Sequence, residues 1–241
     1  MRTLLHTLVL IISTSLLGAA QAASTPPPAT TTKPPVRKPA SSAAAATAEP
    51  TAVIHTTAGD LHCTLFPKVA PIGVENFIGL ATGAKDWTNP VSHAKKHGVP
   101  LYDGTIFHRV IAEFMIQGGD PKGDGTGDPG YKFKNEVSPD LKFDRPGRLA
   151  YANSGPDTNG SQFFITEDVA HSKHLSGGYT IFGQCDEAAV ELVKKIARMA
   201  TDGERPLRPI KITHIEIRRA GAAAARPAAP KPSAGTKKPA S

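Results

Sequence analysis

Cysteine is nearly absent: Cys63 and Cys185 are the two in 241 residues, far apart and outside any Cys-x-x-Cys spacing. That argues against a zinc site and a thioredoxin-type redox motif. Both lie in apolar, strand-like runs, which favours two buried free thiols, although export would permit a disulfide. The N-terminal apolar run, Leu4 to Leu17, is short for a membrane span and is interrupted by His6, Ser13, Thr14 and Ser15. An excess of one charge is also missing where it would matter. The formal net charge is +7, but all of it falls in the ends, and residues 51–219 carry 20 basic and 20 acidic side chains. A basic groove for nucleic acid on the folded part is therefore not implied.

Proline is unevenly spread, with half of the 22 residues falling within 23–50 and 220–241. These Pro- and Ala-rich flanks cannot bury a core. The first is read as a semi-extended linker, and the second, with four dispersed cations, as a solubilising tail. Residues 1–22 pair Arg2 with the apolar run and end in Ala20-Gln21-Ala22, the small-x-small pattern of a secretory cleavage site. The expectation is a signal peptide cut after Ala22, an exported chain in the periplasm or another extracytoplasmic space, and no stable membrane insertion after cleavage. One folded domain, 51–219, remains.

Only two helices are convincing within it. The first opens at Pro71, carries Val74, Phe77, Ile78 and Ala81 on one face, and stops at Gly83. The second has Asp186 as N-cap and Val190, Val193, Ile196 and Ala197 on one face. The rest reads as short strands: a hairpin around Thr57-Ala58-Gly59-Asp60, then 105–110, 114–117, 148–152, 162–166, 180–184 and 210–217. In the last strand Ile210 and Ile212 fall out of phase with Ile215 and Ile217, which predicts a bulge near Thr213 and His214. Many short strands with few helices point to a mainly β fold, a closed or nearly closed antiparallel barrel, because closure removes exposed edges.

The informative block contains Phe107-His108-Arg109-Val110, then Phe114-Met115-Ile116-Gln117-Gly118-Gly119-Asp120, and later Asn159-Gly160-Ser161-Gln162-Phe163-Phe164-Ile165-Thr166. Strand alternation lets one face combine the single cation Arg109 with aromatic and sulfur-bearing groups, which suits an apolar ligand carrying one strong dipole. These motifs, in this order, resemble the cyclophilins, the peptidyl-prolyl cis-trans isomerases, over essentially all of 51–219. The resemblance implies a closed eight-stranded antiparallel barrel capped by two helices. It also implies Arg109 as the catalytic residue, a proline pocket of Phe114, Met115, Phe164 and Leu175, and peptide-backbone contacts from Gln117, Ala152, Asn153 and Gln162. At the rim, His174 stands where eukaryotic members carry tryptophan and Tyr179 where they carry histidine. The same departures are familiar in bacterial members, so catalysis should persist while cyclosporin binds weakly.

The chemistry can also be argued without the resemblance. Rotation about the amide faces a barrier of about 18–20 kcal/mol because resonance stiffens the C–N bond. Twisting frees the prolyl nitrogen lone pair, to which an always-charged guanidinium can donate. An apolar pocket holds the ring and dries the site. No metal, cofactor or covalent nucleophile is required. Alternation further predicts that Phe107 and Phe163 point into the core if Phe114 and Phe164 face substrate.

Competing motifs are weaker. The glycines from Gly118 to Gly130 lack the GK[ST] of a phosphate loop and read as a surface loop beside the cleft. Asp120, Asp124 and Asp128 lack a full calcium-loop pattern. The pairs His93/His97 and His171/His174 have no third ligand nearby. The expected partners are proline-containing unfolded or flexible polypeptides met by a monomer, and the alternative function is a proline-binding chaperone or adaptor with little turnover.

Overall fold

The computed structural model describes residues 49–219. The expected signal peptide, the expected tail and all of the expected linker but Glu49 and Pro50 lie outside the described residues. The chain begins with the expected hairpin, β1 (Thr51–Thr56) and β2 (Gly59–Leu65), followed by helix α1 (Pro71–Thr82). The polar stretch that follows α1 forms a two-stranded hairpin, β3 (Trp87–Thr88) with β4 (Lys95–Lys96). Then come β5 (Arg109–Ile111), β6 (Met115–Gly118), β7 (Arg148–Tyr151), β8 (Phe163–Thr166) and β9 (Ile181–Cys185). Helix α2 (Glu187–Ala197), a small hairpin of β10 (Thr201–Asp202) and β11 (Arg205–Pro206), and β12 (Ile212–Arg218) complete the domain.

Both helices start and stop for local reasons. Pro71 sits in the first turn of α1, where a missing N–H costs nothing, and Gly83 ends it in the left-handed region at φ 76°. Asp186 caps α2 by accepting the Ala189 N–H at 2.8 Å, with Glu187 in the first turn and Lys194 and Lys195 in the last, each complementing the helix dipole.

The main sheet is antiparallel, with eight strands in the order β12-β1-β2-β9-β7-β8-β6-β5. The expected closed barrel is corrected to an open half-barrel: β12 and β5 are the edges of the sheet, and between them the segment before β5 meets the start of β12 through the isolated bridge of Ile106 with Lys211 and backbone hydrogen bonds from the N–H groups of Gly104, Ile212 and Phe107 to the carbonyls of Ile212, Thr105 and Ile210. Of the residues read as a strand from 105, only those from Arg109 form a continuous ladder. The free edge of β5 is met instead by the β10–β11 hairpin, where the Glu204 carbonyl accepts the Val110 N–H at 2.8 Å. The bulge predicted near Thr213 is present: His55 pairs with His214 and Thr56 with Ile212, leaving Thr213 unpaired in the ladder, its hydroxyl donating to the His55 carbonyl at 3.1 Å.

Alternation divides the apolar side chains into two clusters. Phe77, Tyr102, Phe107, Phe163 and Phe182 lie in the main core with the apolar faces of both helices, and Phe107 and Phe163 are fully buried there as alternation predicts. The buried Tyr hydroxyls are satisfied, Tyr102 by the Ser161 carbonyl at 3.0 Å and Tyr151 by the Gly73 carbonyl at 2.8 Å. On the other face of the sheet Met115, Phe143, Ala150, Phe164, Leu175 and Ile181 form a second cluster.

The reading of two free thiols is also corrected. Cys63 and Cys185 are directly paired residues of β2 and β9 and form a disulfide. Their separation in sequence carried no information about this, because the crossover that brings β9 beside β2 is a property of the topology.

Candidate active site

The second cluster floors a cavity of about 520 Å³ on the outer face of the sheet. Strand register builds its central row: Arg109 of β5 lies opposite Gln117 of β6, Gln117 opposite Phe164 of β8, and Phe164 opposite Ala150 of β7. A slip of one residue would turn Arg109 into the core and bring Phe163 to the surface. Phe114, Met115, Phe164 and Leu175 supply the apolar part of the lining, and Arg109, Gln117, Ala152, Asn153 and Tyr179 line the same cavity.

Phe164 is only 4% exposed and is wedged between two aromatics. Phe143 stacks against it at 5.8 Å and Tyr179 meets it edge-on at 5.7 Å. His174, just outside the lining, stacks on Phe114 at 6.2 Å.

A chain of hydrogen bonds orders the polar side. The Arg109 guanidinium donates through Nη1 to Gln117 Oε1 at 3.4 Å, and Gln117 Nε2 donates to Gln162 Oε1 at 2.9 Å. Gln162 Nε2 in turn donates to the carbonyls of Gly125 and Gly127 at 3.0 and 2.9 Å. Gln162 is thereby a strut between strand and loop, and it lines an adjoining pocket of about 350 Å³ rather than the main cavity.

The glycine-rich loop is held from below by Asp120, 1% exposed, whose carboxylate accepts N–H groups of Lys122, Asp124, Gly125 and Gly127. Gly119 turns the chain into this loop at φ 80°, where a Cβ would stand 2.7 Å from the Ser161 carbonyl.

Sequence reasoning did not find Glu204, which pairs with Arg109 Nε and lines the cavity with Asp202 and Arg205. These residues come from the β10–β11 hairpin, 95 positions from Arg109 in the case of Glu204, and nothing local to Arg109 points to them. His108 and Asp124 also line the cavity. Adjacency to Arg109 was the one signal for His108. Its imidazole is 5% exposed, and burial lowers its pKa against the opposing pull of Asp120 and the reinforcing push of Arg205.

An apolar socket with the Arg109 guanidinium beside it, Arg205 further along the lining and no nucleophile–base pair suits binding and polarisation of a neutral, ring-bearing peptide unit. The family model for the cyclophilin type peptidyl-prolyl cis-trans isomerases matches residues 51–217, all but the margins of the described domain. The chain belongs to the cyclophilin family. As a cyclophilin it is a peptidyl-prolyl cis-trans isomerase. It is 51% identical over 172 residues to peptidyl-prolyl cis-trans isomerase A of Mycobacterium tuberculosis, covering 70% of this chain and 93% of that relative. It is 48% identical over 169 residues to peptidyl-prolyl cis-trans isomerase B of Streptomyces anulatus, covering 69% and 95%. Among solved structures it is similar to a cyclophilin-type isomerase of Cryptosporidium parvum in the presence of the dipeptide Ala-Pro. That match has a TM-score of 0.57 and 34% identity, and covers 70% of this chain and 98% of the neighbour.

Proposed function

We propose that this cyclophilin accelerates X-Pro rotation in exported polypeptides, outside the cytoplasm, by non-covalent stabilisation of the twisted amide. One observation carries the proposal: the Arg109 guanidinium and the apolar floor of Phe114, Met115, Phe164 and Leu175 line a single open cavity. The floor holds the prolyl ring while the preceding carbonyl swings. As conjugation is lost, nitrogen pyramidalises and its lone pair accepts a hydrogen bond from Arg109. The interaction exists only in the twisted state, so it lowers the barrier without tightening ground-state binding. Gln117 and Asn153 steady the peptide backbone beside the ring, with Ala152 between them, and Gln162 braces Gln117. His174 and Tyr179, packed on Phe114 and Phe164, shape the rim.

Export is supported by the Arg2, apolar and Ala20-Gln21-Ala22 pattern at the N-terminus, as in a bacterial secreted protein. Uncatalysed isomerisation takes tens to hundreds of seconds, slow enough to limit folding after secretion. In this reading it acts as a monomer on flexible proline-containing segments.

Exchange spectroscopy on an Ala-Pro peptide tests the assignment. The full chain raises the cis-trans exchange rate, and Arg109→Ala lowers kcat/KM by about a hundredfold, the scale of losing one preorganised donor. Arg109→Ala with near-normal turnover refutes the role of Arg109. A chain that binds the peptide without changing its exchange rate is a holdase instead.

A further inference from the structure

Arg109 needs help to be useful. It lies on a three-residue strand at an open edge of the sheet, and its side chain is 40% exposed. A long, solvated arginine carries about 2 kcal/mol of rotamer entropy and does not hold one orientation unaided. Two groups restrain it. Gln117 accepts from Nη1, and the Glu204 carboxylate takes Nε. Of the five N–H donors of a guanidinium, these contacts leave three, all on the η nitrogens.

Glu204 is itself placed by backbone. The β10–β11 hairpin turns through Gly203 at φ 58°, Asp202 pairs with Arg205, and the Glu204 carbonyl accepts the Val110 N–H at 2.8 Å. Val110 is the neighbour of Arg109, so the hydrogen bond that docks the hairpin on β5 also sets the carboxylate beside the guanidinium. The hairpin meets the edge of β5 at Val110, past the stretch from Gly104 to Phe107 that bonds to Ile210 and Ile212, and this edge position is what brings the acid to Arg109.

We propose that Glu204 is a positioning residue for isomerisation: it fixes the Arg109 guanidinium by Nε so that its η nitrogens meet the twisted prolyl amide. The proposal rests on the role of Arg109 stated above. The competing effect, a carboxylate draining the field of the cation, is small for a pair whose side chains are 40% and 52% exposed, because solvent screens it. For the same reason the pair contributes little to stability, which separates positioning from a structural role.

The test uses the full chain, the Ala-Pro peptide and four proteins: wild type, Glu204→Ala, Glu204→Gln and Arg109→Ala. Glu204→Ala lowers kcat about tenfold, a modest case of losing alignment, and leaves KM within about twofold, because the restrained donor acts in the twisted state. Glu204→Gln, which keeps an acceptor oxygen for Nε, recovers most of the rate. The Arg109 Nε–Hε resonance, restrained in wild type, loses its protection from solvent exchange in Glu204→Ala, while the melting temperature stays unchanged. A Glu204→Ala enzyme with kcat equal to or above wild type, or with the loss confined to KM, overturns the proposal. If Arg109→Ala is inactive and Glu204→Ala is not, the proposal alone fails. If Arg109→Ala remains active, the reading of Arg109 fails and takes this one with it.

Discussion

Glu167 ties three parts of the molecule together beside the turn that presents Phe114, and its ion pair makes an asymmetric prediction. The side chain follows β8 and is 3% exposed. One carboxylate oxygen pairs with Arg198 at the end of α2, and the other accepts the Glu113 N–H at 2.9 Å. Glu113 holds a left-handed backbone at φ 64° in the turn that presents Phe114, and the Phe114 carbonyl accepts the Glu167 N–H at 2.8 Å. Arg198, by contrast, is 49% exposed. Removing the cation leaves a buried carboxylate with one N–H partner, so Arg198→Met approaches the penalty of a broken buried pair, about 3 kcal/mol. Removing the anion lets a half-exposed guanidinium turn to water. Glu167→Gln also keeps an acceptor for the Glu113 N–H, so its loss is about 1 kcal/mol. The double variant, with no buried charge left, lies near Glu167→Gln and well above Arg198→Met. Guanidinium unfolding of the four proteins measures all three differences. Equal single-variant losses, or a larger loss for Glu167→Gln, would refute the reasoning that burial of the carboxylate sets the cost.

The Cys63–Cys185 disulfide closes a loop spanning 122 positions, for which the chain-entropy argument gives about 4–5 kcal/mol of stabilisation through the unfolded state. A Cys63→Ala/Cys185→Ala protein should unfold at markedly lower denaturant yet, below its transition, turn over Ala-Pro peptide normally, since neither cysteine lines the cavity. A midpoint indistinguishable from that of the oxidised wild type would contradict this. His108 should make stability pH-dependent. Its folded pKa is lowered, mainly by burial, so the unfolded chain binds the proton first, and stability falls as pH drops below the unfolded value of about 6.5. Comparing unfolding free energy at pH 7.5 and 5.5 for wild type and His108→Gln checks the sign: the variant should lose this component of the slope.

Much of the architecture was legible because local rules act locally. Pro71 and Gly83 bracket one helix, Asp186 opens the other, and the phase slip across Ile212 and Ile215 marks the bulge at Thr213. Once the resemblance set Phe164 toward substrate, alternation sent Phe163 to the main core and left Phe164 for the cavity floor. The resemblance gave Gln162 as a peptide-backbone contact, but its position as a strut depended on loop carbonyls of Gly125 and Gly127, whose location Asp120 decides.

What the residues determined unaided was the periodicity of each segment and the two helices, since these follow from side-chain type and spacing within a few residues; the inventory of the cavity came through the resemblance to the cyclophilins that the motifs around Arg109, Gln117 and Phe164 carry. Pairing over long separations belonged to tertiary structure alone: Cys63 with Cys185, Arg109 with Glu204, and β5 and β12 left as the edges of an open sheet, with a hairpin docked on β5. Strand order and register choose those partners, and they emerge from the whole chain competing to cover its edges and bury its apolar faces, a balance that no short stretch of sequence carries.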